Sequence, residues 1–286
     1  MKLALATAIA AFGLDEDLEP LRAACDAAGI DVSVVAWDDP TVSWGRFDAV
    51  LLRSTWDYID RLPEFLAWCD RTALATRLWN GPDVVRWNTD KRYLGELAAK
   101  GVPVIESRFI APGGDPADFP DLAEYVVKPT VGAGSRDAQR YLREDRAAAE
   151  AHVRRLLDAG RHVLVQPYLR AVDEQGETAL LFFGGRFSHA IRKAPLLTRG
   201  QAPTSALFKA ESSQPRQASA AERDVATRVL AALPFDTLAY ARVDLLPSES
   251  GPQLLELELT EPSVFLPYDE GAAGRFAAVL AGRLLG

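Results

Sequence analysis

Two stretches near the C-terminus alternate so strictly that they leave the backbone little choice. In "YARVDLL", Arg242 and Asp244 fall on one side of an extended chain and Val243 and Leu245 on the other. In "LLELELTEP", Glu256 and Glu258 share a side, opposite Leu255, Leu257 and Leu259. The linker "PSESGP" is long enough to fold the two strands antiparallel. One face of this hairpin is apolar and needs a core; the other gathers Asp244, Glu256, Glu258 and Arg242. A solvated outer face is the ordinary reading of such a pattern. Against it, adjacent carboxylates repel one another unless a cation neutralises them. Oxygen donors without His or Cys suit Mg²⁺, which takes one or two carboxylates together with phosphate oxygens.

The first ~80 residues follow a different rule. "KLALAT", the amphipathic "LEPLRAACDAAG", "VSVVAW", "FDAVLLRS" and "LPEFLAWCDRTA" alternate strand with helix, which predicts a parallel, doubly wound sheet. The Lys2-plus-apolar start has the look of a short signal peptide. The helix and strand that follow need Leu3–Thr7 as a partner, so it reads as a first strand. Asn80-Gly81-Pro82 is a turn, Asp83 can cap a short helix, and Asn88 or Thr89 can cap a second from Asp90 to Lys100.

From Val102 the pattern becomes α+β. Strands "VPVIESRFI" and "EYVVKP", a helix Arg143–Ala159, strand "HVLVQPYL", a hairpin turning at Gly184-Gly185 and a helix Ala220–Ala232 precede the charged hairpin. A helix Ala272–Leu285 closes the chain, and Thr198–Ala218 reads as a long polar loop. Boundaries near 85 and 165 give a doubly wound unit (1–85), a central subdomain with the glycine loop (86–165) and a C-terminal subdomain with the charged hairpin (166–286).

Composition excludes several classes. The net charge of -8 and pI near 5.1 argue against a nucleic-acid or anionic-membrane binder. No apolar run approaches the ~20 residues of a membrane span. Cys25 and Cys69 fit no zinc or C-x-x-C pattern, and His152, His162 and His189 have no ligand spacing. Buried free thiols in a reducing cytoplasm follow.

Lys128 ends the apolar strand "EYVVKP" and precedes "TVGAGSRD". The order is neither a P-loop nor a dinucleotide fingerprint. A lysine directed inward from an apolar strand needs an anion, and backbone N–H groups of Thr130–Arg136, freed by Gly132 and Gly134, can close over the same phosphate. Lys91, in the first turn of a predicted helix, adds a second charge. "QPYL" (Gln166, Pro167, Tyr168, Leu169) ends a strand at a proline, which leaves backbone groups for an adenine edge. In "HAIRKAP" Arg192 and Lys193 face opposite ways; Arg192 is taken as the one facing a transferring phosphoryl group.

This succession of parts resembles the ATP-grasp superfamily over nearly the whole chain. The resemblance implies ATP, with Lys91, Lys128, Gly132, Gly134 and Ser135 at the phosphates and Gln166, Pro167, Tyr168 and Leu169 at the adenine. It implies Glu177 near the ribose or adenine amine, and two Mg²⁺ on Asp244, Glu256 and Glu258. Many members carry Glu-x-Asn where this chain has Glu256-Leu257-Glu258, so Glu261 is a competing ligand. "LLRSTWDY", "NTDKRYL" and "LLELELTEPS" most resemble the cyclo-ligase branch, whose known activity closes O-ureido-serine to cycloserine. RimK-like and glutathione synthetase ligases are more distant.

Arg53, Ser54, Thr55 and Asp57 follow a strand of the N-terminal sheet, at the end where open α/β sheets bind ligands. Arg53 can clamp a substrate carboxylate and Asp57 can receive an amine; the alternative is capping, with Trp56 and Tyr58 in the core. The expectation is an ATP- and Mg²⁺-dependent ligase. It converts the carboxylate of a small amino-acid-like substrate into an acyl phosphate, which a nitrogen captures, within the same molecule or from another. A nucleotide-binding regulator without catalysis is the alternative class, and a homodimer is compatible with the relatives.

Overall fold

The computed structural model describes residues 1–197 and 212–286. Its first sheet contains β1 (Lys2–Thr7), β2 (Asp31–Ala36), β3 (Ala49–Leu52) and β4 (Arg77–Trp79), with α1 (Leu18–Ala27) and α2 (Leu62–Ala75) between them. The order is β2-β1-β3-β4, all parallel. Burial on both faces of a parallel sheet explains why residues 3–6 of β1 are all apolar. Leu3 and Leu5 pack with Leu18, Leu21 and Cys25 on one face. Ala4 and Ala6 meet Phe65, Trp68 and Cys69 on the other. Both cysteines are free and buried.

Two short helices, α3 (Pro82–Asn88) and α4 (Tyr93–Ala99), lead into a second sheet. It is formed by β5 (Arg108–Ile110), β6 (Glu124–Pro129), β7 (Gln139–Leu142) and β8 (Val163–Pro167), in the order β5-β8-β6-β7 and antiparallel throughout. The helix α5 (Arg146–Asp158) covers one face, where Ala149, Val153 and Leu156 meet Tyr125, Val127 and Val165. Alternation then turns Val126, Lys128 and Gln166 to the opposite face. The strand expected from Val102 begins only at Arg108, with a single bridge between Val104 and Leu254 before it.

A third sheet follows α6 (Ala171–Gln175). It comprises β9 (Glu177–Phe183), β10 (Arg186–Lys193), β11 (Ser213–Arg216), β12 (Tyr240–Leu246) and β13 (Gln253–Glu258), ordered β11-β10-β9-β12-β13. Gly184 and Gly185 both take positive φ, the pair a tight right-twisted hairpin turn requires. Within the expected loop Thr198–Ala218, Ser213–Arg216 forms the edge strand β11, while 198–211 lies outside the described residues. Helix α7 (Ala220–Ala231) starts at Ser219, whose hydroxyl receives the Glu222 N–H in a capping box.

The faces of this sheet divide the molecule. On one, Leu180, Phe182, Val243, Leu245 and Leu257 pack under α7 and α4. On the other, α8 (Ala272–Leu285) covers the apolar end, with Phe276 stacked on Phe183 at 4.2 Å and reaching the first sheet's core. The polar end of that face remains open. A bulge between Asp244 and Leu245 alters one expectation: Leu254, not Leu255, enters the core. Leu255 is turned to the polar side, among Ile105, Val172 and Leu246.

The outer edge of β13 is finished by side chains. Tyr93 donates its hydroxyl to the Leu257 carbonyl at 2.8 Å and receives the Leu257 N–H at 2.9 Å. Asn88 is not the helix cap expected of it. Its amide donates to the Leu257 carbonyl at 2.8 Å and its oxygen receives the Leu259 N–H at 2.7 Å. Asn80 likewise donates to the carbonyls of Tyr240 and Leu259. These contacts replace a missing neighbouring strand, so loss of one leaves buried backbone groups unpaired. Asn88→Ala should cost about 2–3 kcal/mol in urea unfolding; a loss under about 0.5 kcal/mol would mean that the edge does not depend on it.

Candidate active site

The open polar end of the third sheet, the inner face of the second and the carboxyl end of the first enclose a cavity of about 430 Å³. Antiparallel pairing of β12 with β13 sets Asp244 directly opposite Glu256 and Arg242 opposite Glu258. All four line the cavity, as the alternation of the two strands requires.

Cations interleave with these acids. Arg242 holds Asp244 at 2.9 Å, also pairs with Glu258, and donates to the Ser263 carbonyl at 3.1 Å. Lys193 contacts Glu177 at 2.6 Å and Asp244 at 3.4 Å. Lys91 bridges Glu256, at 2.9 Å, and the Gly132 carbonyl, at 2.7 Å. Burial opposes ionisation of Asp244, yet Arg242 and Lys193 outweigh it and hold the carboxyl at about 2. Burial likewise works against Glu256, and Lys91 and Lys128 overcome it to keep the group below the usual range. For Glu258 burial wins: with Asp244 and Glu256 beside it, its carboxyl rises to about 7 in spite of Arg242. Among the described residues no three acidic or imidazole side chains are already drawn together around an ion position. The donors of Asp244, Glu256 and Glu258 are all oxygen, and a hard divalent ion needs only one or two carboxylates if a phosphate completes its shell. The set fits such an ion.

Lys128 stands apart. It projects from β6 into the cavity, and among the described residues it has no hydrogen bond or ion pair. Burial and the nearby Lys91 lower its ammonium, with Glu256 opposing. The glycine loop beside it takes left-handed backbone at Gly134 and Ser135, with φ of 60° and 59°. Asp137 fixes the loop's far end through Arg155 at 2.9 Å and Arg161 at 2.6 Å. Arg136 reaches neither the cavity's lysines nor its acids; it pairs with Asp60 of the first domain at 2.8 Å.

At the other end of the second sheet, Ile105, Val172 and Leu246 form a small apolar cluster against Tyr168, Leu169 and Leu255. Gln166 lines this slot and donates to Ser107 at 3.0 Å. Among the described residues the backbone N–H of Leu169 donates to no protein group. An apolar slot with a free edge N–H accepts a flat heterocycle.

The cavity therefore brings together Lys91, Lys128, Gly132, Gly134, Ser135, Gln166, Pro167, Tyr168, Leu169, Glu177, Asp244, Glu256 and Glu258. Five expected residues lie elsewhere. Arg192 pairs with Thr178 on the opposite face and caps α6, donating to the carbonyls of Gln175 at 2.7 Å and Glu174 at 2.8 Å. Parity on β10 gives the inward position to Lys193, whose cross-strand partner is Glu177. Arg53 is fully buried behind the cavity wall, 3.3 Å from Asp17 and donating to the Pro262 carbonyl at 3.0 Å. Ser54 bonds Thr7 at 2.8 Å, Thr55 is buried, and Asp57 accepts from Trp37 at 2.9 Å and pairs with Arg61. From that motif Trp56 and Tyr58 reach the cavity instead. Sequence reasoning also left Arg242 and Lys193 without roles; their positions on alternating strands opposite Glu258 and Glu177 were the available signal.

Comparison with known proteins agrees with this geometry. The N-terminal domain family of the D-cycloserine synthetase DcsG matches residues 3–80. The cycloserine biosynthesis protein DcsG of Streptomyces lavendulae is 46% identical over 297 residues, covering 99% of this chain and 98% of that protein. The crystal structure of D-cycloserine synthetase DcsG superposes with a TM-score of 0.92 at 44% identity, covering 99% of this chain and 100% of that one. The ATP-grasp ligase PsnB, complexed with its minimal precursor, Mg and ADP, shares the fold at a TM-score of 0.64 and 18% identity, with coverage of 99% and 97%. The chain is an enzyme of the ATP-grasp ligases and belongs to the branch of the cycloserine synthetase DcsG.

Proposed function

We propose that this enzyme uses ATP and Mg²⁺ to phosphorylate the carboxylate of an amino-acid-like substrate, and that a nitrogen of the same molecule captures the acyl phosphate. The substrate class is that of O-ureidoserine, closed to a cycloserine-type ring. One observation carries the reading. A single cavity holds an apolar slot, four cations (Lys91, Lys128, Lys193 and Arg242) and three carboxylates facing them. The synthetase activity of the full-length relative and the Mg and ADP bound by PsnB support it.

In this reading residues 86–165 carry the lid, 166–286 the adenine slot and ion-binding hairpin, and 1–85 the substrate side. The purine lies against Leu169 and Leu246, with the Leu169 N–H on its edge. Lys91, Lys128 and Lys193 take the phosphates, and the N–H groups around Gly132–Ser135 close over them. Phosphate oxygens compete for Lys91 and Lys193, which releases Glu256 and Asp244 from their ion pairs. Asp244, Glu256 and Glu258 are the residues that would hold Mg²⁺, which supplies charge neutralisation to the transferring phosphoryl group.

Arg242 takes the role expected of Arg192. It lies between Asp244 and Glu258, next to the substrate end, where charge develops as the carboxylate oxygen attacks the γ-phosphate. The C–O–P bond forms as the bond to ADP breaks. The nitrogen then adds to the acyl carbon, phosphate leaves with the bonding pair, and the nitrogen loses its proton; with O-ureidoserine this gives the N-carbamoyl ring, from which water removes the carbamoyl group as carbon dioxide and ammonia. No side-chain nucleophile is required.

Two outcomes follow. Wild-type enzyme with ATP and Mg²⁺ should release ADP on addition of O-ureidoserine, and Asp244→Asn should lower kcat on the order of 100-fold or more with its thermal transition retained. No ADP release from the wild type, or full activity in Asp244→Asn, would contradict the reading. Lys193→Ala should raise the KM for ATP on the order of 10-fold or more, while Arg192→Ala leaves turnover near the wild-type rate and lowers stability only. The reverse ranking in steady-state kinetics would restore the phosphoryl role to Arg192.

A further inference from the structure

The cavity changes character where the first domain meets the loop after β13. There the wall is formed by Trp56 and Tyr58 of the first domain and by the loop after β13. Glu261 lines this end and is 8% exposed. Its backbone carbonyl receives the Trp56 indole N–H at 3.1 Å, and its carboxyl lies beside the Tyr58 hydroxyl. Among the described residues it has no ion pair. The charged groups around it are Glu258 and Glu256, with Lys91 already committed to Glu256 and Gly132. Burial pushes the Glu261 carboxyl up to about 8.

The loop is firmly held. Asp17 receives the N–H groups of Val264 at 2.6 Å, Phe265 at 3.2 Å and Leu266 at 2.6 Å, and is itself paired with the buried Arg53. This clamp fixes Phe265 in left-handed backbone, with φ of 52°. A second acid, Asp15, also lines this end, and its Oδ2 lacks a hydrogen bond.

Burial beside other acids keeps this carboxyl largely protonated, and a cation entering the cavity is what would restore its charge. The hairpin carboxylates Asp244, Glu256 and Glu258 are the ones assigned to the metal ion, which leaves an organic cation as the partner for Glu261. We propose that Glu261, positioned by Tyr58, binds the α-ammonium of the substrate and thereby selects amino acids over their des-amino counterparts. This rests on the carboxylate-activating reading above and deepens it by giving the substrate a direction. Its carboxylate faces Arg242 and the phosphates, and its ammonium faces Glu261.

The test compares O-ureidoserine with its des-amino analogue, 3-(ureidooxy)propanoate, by ADP release in wild-type enzyme, Glu261→Gln and Glu261→Asp. The wild type should prefer the amine-bearing compound. Glu261→Gln should raise its KM on the order of 10- to 100-fold, with the KM for ATP unchanged, and should erase the preference. Glu261→Asp keeps the charge and should keep the preference at a raised KM. It carries the test if Glu261→Gln does not fold. An unchanged KM and preference in folded Glu261→Gln, or a folded Glu261→Asp that treats both compounds alike, would overturn the assignment and leave the ligase reading standing. Wild-type enzyme inert toward both compounds would overturn both.

Discussion

The face shared by β12 and β13 carries Asp244, Glu256 and Glu258 within one cavity wall, and that concentration of buried negative charge governs the rest of the architecture. Isolated carboxylates at this depth would be forced to protonate. The chain answers with cations from three different places: Arg242 from the same strand, Lys193 from β10 and Lys91 from the joint between α3 and α4. The ion pairs of Lys193 and Lys91 therefore also fix neighbouring elements against the hairpin. In the proposed reading the balance is exchangeable, because a polyphosphate would present the lysines with an alternative anion and the acids with a metal-linked one. Lys128, without a partner of its own among the described residues, adds the charge that favours such an exchange.

The scaffold around the hairpin is built to hold this face still. Asn80, Asn88 and Tyr93 complete the hydrogen bonds along β13, where a sheet edge would otherwise be ragged. The glycine loop is anchored at one end by Asp137 and tied across the cavity by Arg136 to Asp60. The first domain thus meets the site through that ion pair, through Trp56 and Tyr58 in the cavity wall, and through the Asp17 clamp on the loop after β13.

Much of this was legible in the chain because alternation and glycine placement act locally. The parity of "YARVDLL" and "LELE" fixed which residues share a face, and the apolar run before Lys128 fixed its direction. What stayed hidden depended on choices made at longer range. Arg192 and Lys193 are equally basic, and only the pairing of β10 with β9 decides that Lys193 meets Glu177. The bulge that exchanges Leu254 for Leu255 lies where the Leu254 backbone bonds Pro103 and Ile105, a segment about 150 residues earlier. Arg53 resembled a substrate clamp until its partners, Asp15 and Asp17, came from a loop 36 residues earlier. Glu261 read as a spare metal ligand; its place beside Tyr58 joins two segments that no local pattern connects.

The proposed mechanism makes the substrate's own carboxylate the phosphoryl acceptor. Turnover of O-ureidoserine labelled with ¹⁸O in both carboxylate oxygens tests this directly. ³¹P NMR of the released phosphate should show one ¹⁸O per phosphate, with the other retained in the cyclised product. Unlabelled phosphate accompanying labelled product would contradict carboxylate activation and require a different route to the ring.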